Sequence, residues 1–242
     1  LVGKGRMEEP DKIIEVLEDF FSAQKDLEKK KILITAGPTY EKIDPVRFIG
    51  NYSSGKMGFA LAEACAERGA EVTLVAGPVS LKTHHPAIKR IDVESAGEMY
   101  QAAMTAFPSS DAAILCAAVA DYRPENASEQ KIKRETEREM TLHLVPNPDI
   151  AASLGAIKRE GQVMVGFALE TNDEATHAEG KLKRKNLDFI VLNSLRDQGA
   201  GFRCDTNKIT IIDNAGGVTS YPLKTKREVA CDIVNKLSLI HI

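Results

Sequence analysis

Between Arg47 and Gly55 the chain gathers groups suited to holding an anion. Ser53, Ser54 and Gly55 stand directly before an apolar helical pattern, so their backbone amides can meet a phosphate at the positive end of that helix. Arg47 adds a cation, and Asn51 adds an amide that both donates and accepts. Farther along, Lys131 and Lys133 flank Ile132. Lys181 and Lys185 are four apart on a helical pattern and so share a face, with Lys183 and Arg184 in the same turn. By themselves such clusters read as solvated charged faces. Beside an anion-binding loop they have a use, because chemistry at a triphosphate needs positive charge brought to it.

Two short motifs nearly fit the same loop. GNYSSGKM (Gly50 to Met57) matches G-x-x-x-x-G-K, but Met57 stands where a Ser or Thr would hold magnesium, and the loop starts far beyond the preceding strand. Tyr52 and Lys56 match the Y-x-x-x-K pair of short-chain dehydrogenases. That pair belongs on a mid-domain helix, and the first strand lacks G-x-G-x-x-G, which argues against hydride transfer.

The elements that must position these groups alternate. KILITA is a short apolar run ended by Gly37-Pro38, so a buried strand, followed by a long polar loop to Ser54. GKMGFALAEACAERG reads as a helix with Phe59, Leu61, Ala62, Cys65 and Ala66 inward and Gly69 as its stop. EVTLVAG and KRIDV are strands, SAGEMYQAAMTAF is a helix capped by Ser95, and DAAILCAAVA is the most apolar strand. IKRE and MTLHLV read as extended pieces of a hairpin. NPDIAASLGAIKR is a helix with Asn147 at its cap and Pro148 at its first position. QVMVGFAL and DFIVLN are strands around the helix NDEATHAEGKLKRKN, and KITIIDNAGGVTSYPL is a hairpin turning at Gly216-Gly217. KREVACDIVNKLSLI closes as an amphipathic helix. Ahead of all this, DKIIEVLEDFFSAQ is a helix with Ile13, Ile14, Leu17, Phe20 and Phe21 on one stripe, and KDLEKKK is a solvated linker. The alternation predicts an α/β fold with a mostly parallel sheet, helices on both faces and a peripheral hairpin. In such a sheet ligands bind at the carboxyl ends of the strands, which here are rich in Gly, Ala, Asn, Asp and Ser.

Composition narrows the classes. The chain has 242 residues, 43% hydrophobic and 28% charged, with a net charge of −3. That is an ordinary balance for one large domain with its own core, and it lacks the basic surplus of a nucleic-acid binder. Cys65, Cys116, Cys204 and Cys231 form no CxxC pair, so they read as reduced thiols mostly in the core rather than zinc ligands. No apolar run is long enough to cross a membrane and the opening residues lack a signal-peptide core, which places the protein in the cytoplasm.

Longer segments carry a resemblance. ITAGPTYEKIDPVRFIGNYSSGKMGFALAEA, CAAVADYRP, KIKR, VPNPDI, VGFALETN and KRKNLDFIVLN, in this order, closely resemble the bacterial phosphopantothenoylcysteine synthetase family, from about Lys31 to the end. The opening GKGRMEEP resembles the last turn of the flavin-dependent decarboxylase fused ahead of that synthetase, so 1–30 are expected to be its tail plus a linker and 31–242 the synthetase domain. The resemblance implies a Rossmann-like fold, a homodimer, and no flavin in this half. It also implies ligation of 4′-phosphopantothenate and cysteine driven by CTP with Mg2+, through an acyl-cytidylate.

The family's site residues carry over by position. Lys131 resembles the lysine of cytidylate formation, and Asn51 the asparagine that handles the acyl-cytidylate. Lys181 and Lys185 resemble triphosphate-holding lysines. The cytosine side would involve Ala117, Ala118, Asp121, the turn Asn147, Pro148, Asp149 and Ile150, and Phe167. Arg47, Ser53, Ser54 and Gly55 would receive the phosphate of phosphopantothenate. The sequence departs from the family at Gly50, where serine is common, and at Arg134, which replaces a lysine. The charged stretch from Lys131 to Glu139 reads as a flap over the site. The competing readings are a nicotinamide-dependent short-chain reductase and a non-catalytic nucleotide-binding module.

Overall fold

The computed structural model describes residues 8–22, 25–133, 139–170, 180–194 and 204–240. The described elements run α1 (Pro10–Ser22), β1 (Lys31–Ala36), β2 (Tyr40–Lys42), β3 (Phe48–Gly50), α2 (Lys56–Glu67), β4 (Glu71–Ala76), β5 (Ile88–Asp92) and α3 (Ala96–Ala106). They continue through β6 (Ala112–Leu115), β7 (Tyr122–Pro124), β8 (Leu144–Pro146), α4 (Ile150–Ile157) and β9 (Val163–Glu170). The helical residues 180–184 are α5. The chain ends with β10 (Phe189–Ser194), β11 (Thr206–Asn207), β12 (Ile209–Asp213), β13 (Val218–Ser220), β14 (Lys224–Thr225) and α6 (Lys226–Ser238).

The eight-stranded sheet has the order β13-β12-β10-β9-β6-β1-β4-β5. From β5 to β10 every pairing is parallel, and the β12–β13 hairpin closes one edge antiparallel. The chain adds β4 and β5 on one side of β1, then returns to add β6, β9 and β10 on the other. That order is the doubly wound, Rossmann-like one, and its reversal lies between β1 and β6.

Side chains alternate between two cores, as the two-residue strand period requires. Ile32 and Ile34 of β1 pack with Phe59, Leu61 and Cys65 of α2 and Val229 and Ile233 of α6. Leu33 joins Met99 and Ala103 of α3, Leu154 of α4 and Leu182 of α5 on the opposite face. Near-continuous apolar strands are therefore needed, and β1 is buried at every residue after Lys31. Ser95 caps α3 by accepting from the Glu98 amide, as its sequence suggests. A capping box between Thr225 and Glu228 starts α6.

Several local expectations fail. The loop from Gly37 to Ser54 contains an antiparallel hairpin, β2–β3, with Tyr40 stacked on Phe48 at 3.8 Å between ring centroids. The hairpin expected from IKRE and MTLHLV pairs instead as β7 with β8, because Tyr122–Pro124 is the extended partner that Leu144–Pro146 meets. The apolar run from Asp111 leaves the sheet after Leu115 and turns over its end. The KDLEKKK linker is not simply solvated. Leu27 is buried in the α2–α6 core and its amide donates to the Arg68 carbonyl at 3.1 Å, while Arg68 binds Asp26. Of the α1 stripe, Ile14 and Leu17 are exposed, and the side chains of Phe20 and Phe21 lie outside the description. Of the four thiols Cys65 is buried, Cys116 and Cys204 are half-buried and Cys231 is exposed. Residues 171–179 of the expected helix NDEATHAEGKLKRKN lie outside the described residues.

Candidate active site

The strand reversal opens a crevice at the carboxyl ends of β1 and β6. There the chain leaves β1 through Gly37-Pro38, and the Ala118 amide donates to the Gly37 carbonyl at 2.8 Å. Gly77, just past β4, lets this crossing pass: a Cβ there would fall on the Pro38 carbonyl oxygen. The resulting cavity measures about 1040 Å³. Single-ligand sites run to roughly 300–1,000 Å³, so this one has room for more than one small molecule.

On the α2 side, Asn51, Ser53, Ser54 and Gly55 all line the cavity, as their sequence position suggests. Gly55 is the helix N-cap at φ +75°, a conformation that favours glycine, and it gives α2 no side-chain cap. The positive end of α2 thus meets the cavity through Gly55 and the residues around it. Asn51 also has a structural task that the sequence did not disclose. Its amide donates to the carbonyls of Ala118, at 3.3 Å, and Val119, at 3.0 Å, tying this loop to the β6 loop.

Ala117, Ala118, Asp121, Asn147, Pro148, Asp149 and Ile150 form the opposite lip. Asn147 does not cap α4. Its amide donates to the Ala120 carbonyl at 2.8 Å, joining the two turns, and Asp149 takes the cap by accepting from the Ala152 amide at 3.0 Å. The helix starts two residues later than the Asn-Pro pair implies. Asp149 also binds Lys185 at 2.9 Å. Burial pushes the Asp149 carboxyl up, but the Ala152 amide and the Lys185 ammonium outweigh it and hold the group below its ordinary value. Lys181, one turn before Lys185, faces the same cavity, so the shared face expected of the pair is present. Phe167 lines the cavity and packs half-buried against the α2–α6 core.

Arg47 and Lys131 are not on the cavity wall. Arg47 is spent on Asp44, a buried carboxylate that it grips through Nε at 2.9 Å and through Nη2. Together they clamp Ile132: its amide donates to Asp44 at 3.1 Å and its carbonyl accepts from Arg47 at 2.8 Å. Asp44 was missed because a lone Asp in a polar loop gives no signal of burial. Arg47 therefore holds the arm that carries Lys131. Lys131 is exposed at the tip of this arm, and 134–138 of the expected flap lie outside the described residues.

Among the polar residues that the structure adds to the cavity are Lys56, Asn193, Asn207 and Lys226. Asn207 donates to Asn193 at 3.0 Å. Lys56 follows the anion loop directly, and Asn193 ends a strand, so position could have marked both. Lys226 opens a helix that reads as amphipathic surface, and nothing local marks it. Cys116 also lines the cavity, and burial pushes its thiol up to about 12. Among the described residues no His, Cys, Asp or Glu gather in threes for a metal, and no helix is long and apolar enough to cross a membrane.

Comparison with known proteins agrees with this geometry. The DNA/pantothenate metabolism flavoprotein C-terminal domain model matches residues 27–240. A protein of an unknown prokaryotic organism, named cysteine/cysteine sulfinic acid decarboxylase, is 56% identical over 100% of this chain and 68% of its own. The coenzyme A biosynthesis bifunctional protein CoaBC of Vibrio parahaemolyticus is 49% identical over 98% of this chain, which spans 59% of that protein's length. The crystal structure of the C-terminal domain of a CoaBC protein superposes with a TM-score of 0.76 at 40% identity, covering 89% of this chain and 97% of that one. The chain belongs to the DNA/pantothenate metabolism flavoprotein C-terminal domain family.

Proposed function

We propose that this chain is a phosphopantothenate–cysteine ligase of coenzyme A biosynthesis that uses CTP. Membership beside the CoaBC C-terminal domain supports the ligase reading. The observation that carries it is the crevice itself: one cavity, large enough for two substrates, bordered by lysines from both faces of the sheet and by the positive start of α2. In the proposed reaction the phosphopantothenate carboxylate attacks the α-phosphate of CTP and pyrophosphate leaves. The cysteine amine then attacks the acyl carbon, CMP leaves, and the amine loses its proton. An anion attacking an anion needs cations at the reacting centre. Lys181 and Lys185 hold the triphosphate, Lys131 reaches the developing charge from its arm, and Asn51 exchanges its longer bond, to the Ala118 carbonyl at 3.3 Å, for one to the acyl oxygen. Ala117, Ala118, Asp121 and the 147–150 turn present backbone and amide edges that suit a cytosine ring, with Phe167 alongside. Magnesium is carried by the nucleotide phosphates rather than by a carboxylate cage. The reading includes a homodimer, for which the exposed Val46, Phe48, Tyr122 and Leu144 on the two small hairpins offer a surface, and a decarboxylase domain in the rest of the full-length protein.

The test is pyrophosphate release from CTP and 4′-phosphopantothenate with and without cysteine. Wild type should require both substrates, and phosphopantothenoylcysteine should appear only when cysteine is added. Lys131→Ala should abolish pyrophosphate release, and Asn51→Ala should slow product formation more than release. Absence of release from wild type with either CTP or ATP would sink the proposal.

A further inference from the structure

Two side-chain amides in the cavity have no task in the reaction proposed above. Asn193 lies near the end of β10 and Asn207 ends β11, and both line the cavity. Asn207 is 3% exposed, so its amide must find its partners inside the protein. Those partners decide which way each amide points. The Lys208 backbone N–H donates to Asn207 Oδ1 at 3.1 Å. That leaves Asn207 its NH2, which donates to Asn193 Oδ1 at 3.0 Å. The Asn193 oxygen is thereby taken as well, and its own NH2 ends the relay. Among the described residues nothing accepts from that NH2. A backbone N–H can only donate, so it sets the polarity of both amides, and the cavity receives a donor rather than an acceptor.

The place of this donor narrows what it meets. Val191 packs into the α2–α6 core and Leu192 into the opposite one. Alternation along β10 therefore turns Asn193 to the α2–α6 side. Lys181, Lys185 and the 147–150 turn, given to the nucleotide above, belong to the α4–α5 side, whereas the start of α2 is on the side of Asn193. An uncharged donor suits an uncharged acceptor oxygen. Of the two remaining substrates, 4′-phosphopantothenate has one in its amide carbonyl, and cysteine offers a charged carboxylate.

We propose that Asn207 is a positioning residue of the ligation: acting through Asn193, it turns an amide donor toward the amide carbonyl of 4′-phosphopantothenate. This rests on the ligase reading. The test reverses the relay. Asn207→Asp still accepts from the Lys208 N–H but does not donate when ionised, so Asn193 must give its NH2 to position 207 and show the cavity its oxygen. Asn207→Leu keeps the volume and frees the Asn193 amide to point either way. In steady-state turnover KM for 4′-phosphopantothenate should rise about tenfold in Asn207→Asp and about threefold in Asn207→Leu, with KM for cysteine unchanged. Calorimetry with inorganic pyrophosphate checks the added charge, and both variants should bind it as wild type does. A purely structural Asn207 predicts the reverse order, because Asn207→Leu loses both bonds, with the urea midpoint falling alongside. That order, unchanged KM values, a rise confined to cysteine, or an equal weakening of pyrophosphate in Asn207→Asp overturns the relay, while an active wild type keeps the ligase. Calorimetry with 4′-phosphopantothenate alone separates the two proposals. Binding to wild type that weakens in the same order supports the relay even without turnover, and equal binding by all three proteins, or none by wild type, overturns it.

Discussion

Two walls of the site are built by different means, and only the first of them lines the cavity. At the ends of β1, β4 and β6, backbone lies on backbone: Gly77 passes under Pro38, and Ala118 bonds to Gly37. The other wall, the arm that carries Lys131, is held by the Asp44 carboxylate, which accepts from the amides of Val46 and Arg47, at 2.8 Å each, and of Ile132. Steric fit has no charge and does not answer to salt or protons. A buried carboxylate concentrates the attachment of a whole segment in one group. The first wall is thus suited to fixing a ligand's position, and the second to carrying a group that must be released and reset.

Substitutions at each wall sharpen the contrast. The largest effect belongs to Gly77→Ala, because the new methyl meets a carbonyl that no rotamer can move aside. Urea unfolding should show a loss of about 3 kcal/mol or more, with the reaction lost in proportion to folded protein. A fully stable variant would mean that the wall yields. Asp44→Asn should act on the arm alone. The amide turns donors toward donors, so trypsin should cut after Lys131 or Lys133 at least about tenfold faster and the ligation rate should fall by a similar factor, while the urea midpoint moves less than for Gly77→Ala. Equal midpoint shifts for both variants would erase the distinction between the walls.

The smallest effect is that of pH. Arg47 holds the Asp44 carboxyl well below the ordinary carboxylate range, against the pull of burial. A group whose folded value is depressed contributes stability that is present above its unfolded value and is lost as pH falls through the folded one. The Ile132 amide should therefore keep its hydrogen-exchange protection, corrected for intrinsic rate, down through the range where ordinary carboxylates titrate. Loss of protection near pH 5 would show that the clamp does not rest on the ionised group.

The same contrast explains what the sequence disclosed. The parallel sheet, the Ser95 cap and the Gly216-Gly217 turn follow from local patterns, since each depends on residues close together in the chain. The cap at Asp149 was misplaced to Asn147 because Asn147 is claimed by Ala120, a partner far away in sequence. The type of Arg47 suits a phosphate, but its bonds to Asp44 and Ile132 depend on a buried carboxylate and a distant segment that spacing does not reveal. Leu27 looked solvated inside a charged run, and only the packing of α2 against α6 gives it a place to be buried. The cavity residues Ser53, Ser54, Gly55, Lys181 and Lys185 were legible because a helix start and a helix face are local geometry.

Cys116 has a consequence for the redox behaviour of the site. On the proposed reaction one substrate is itself a thiol, bound in a cavity that Cys116 helps to line. Exchange between thiols and disulfides proceeds through the thiolate. With its value pushed up to about 12, Cys116 stays protonated at neutral pH and is a poor partner for cystine or for a mixed disulfide. On the proposed reaction, the thiol substrate thus meets a cavity sulfur that is held in its less reactive, protonated form.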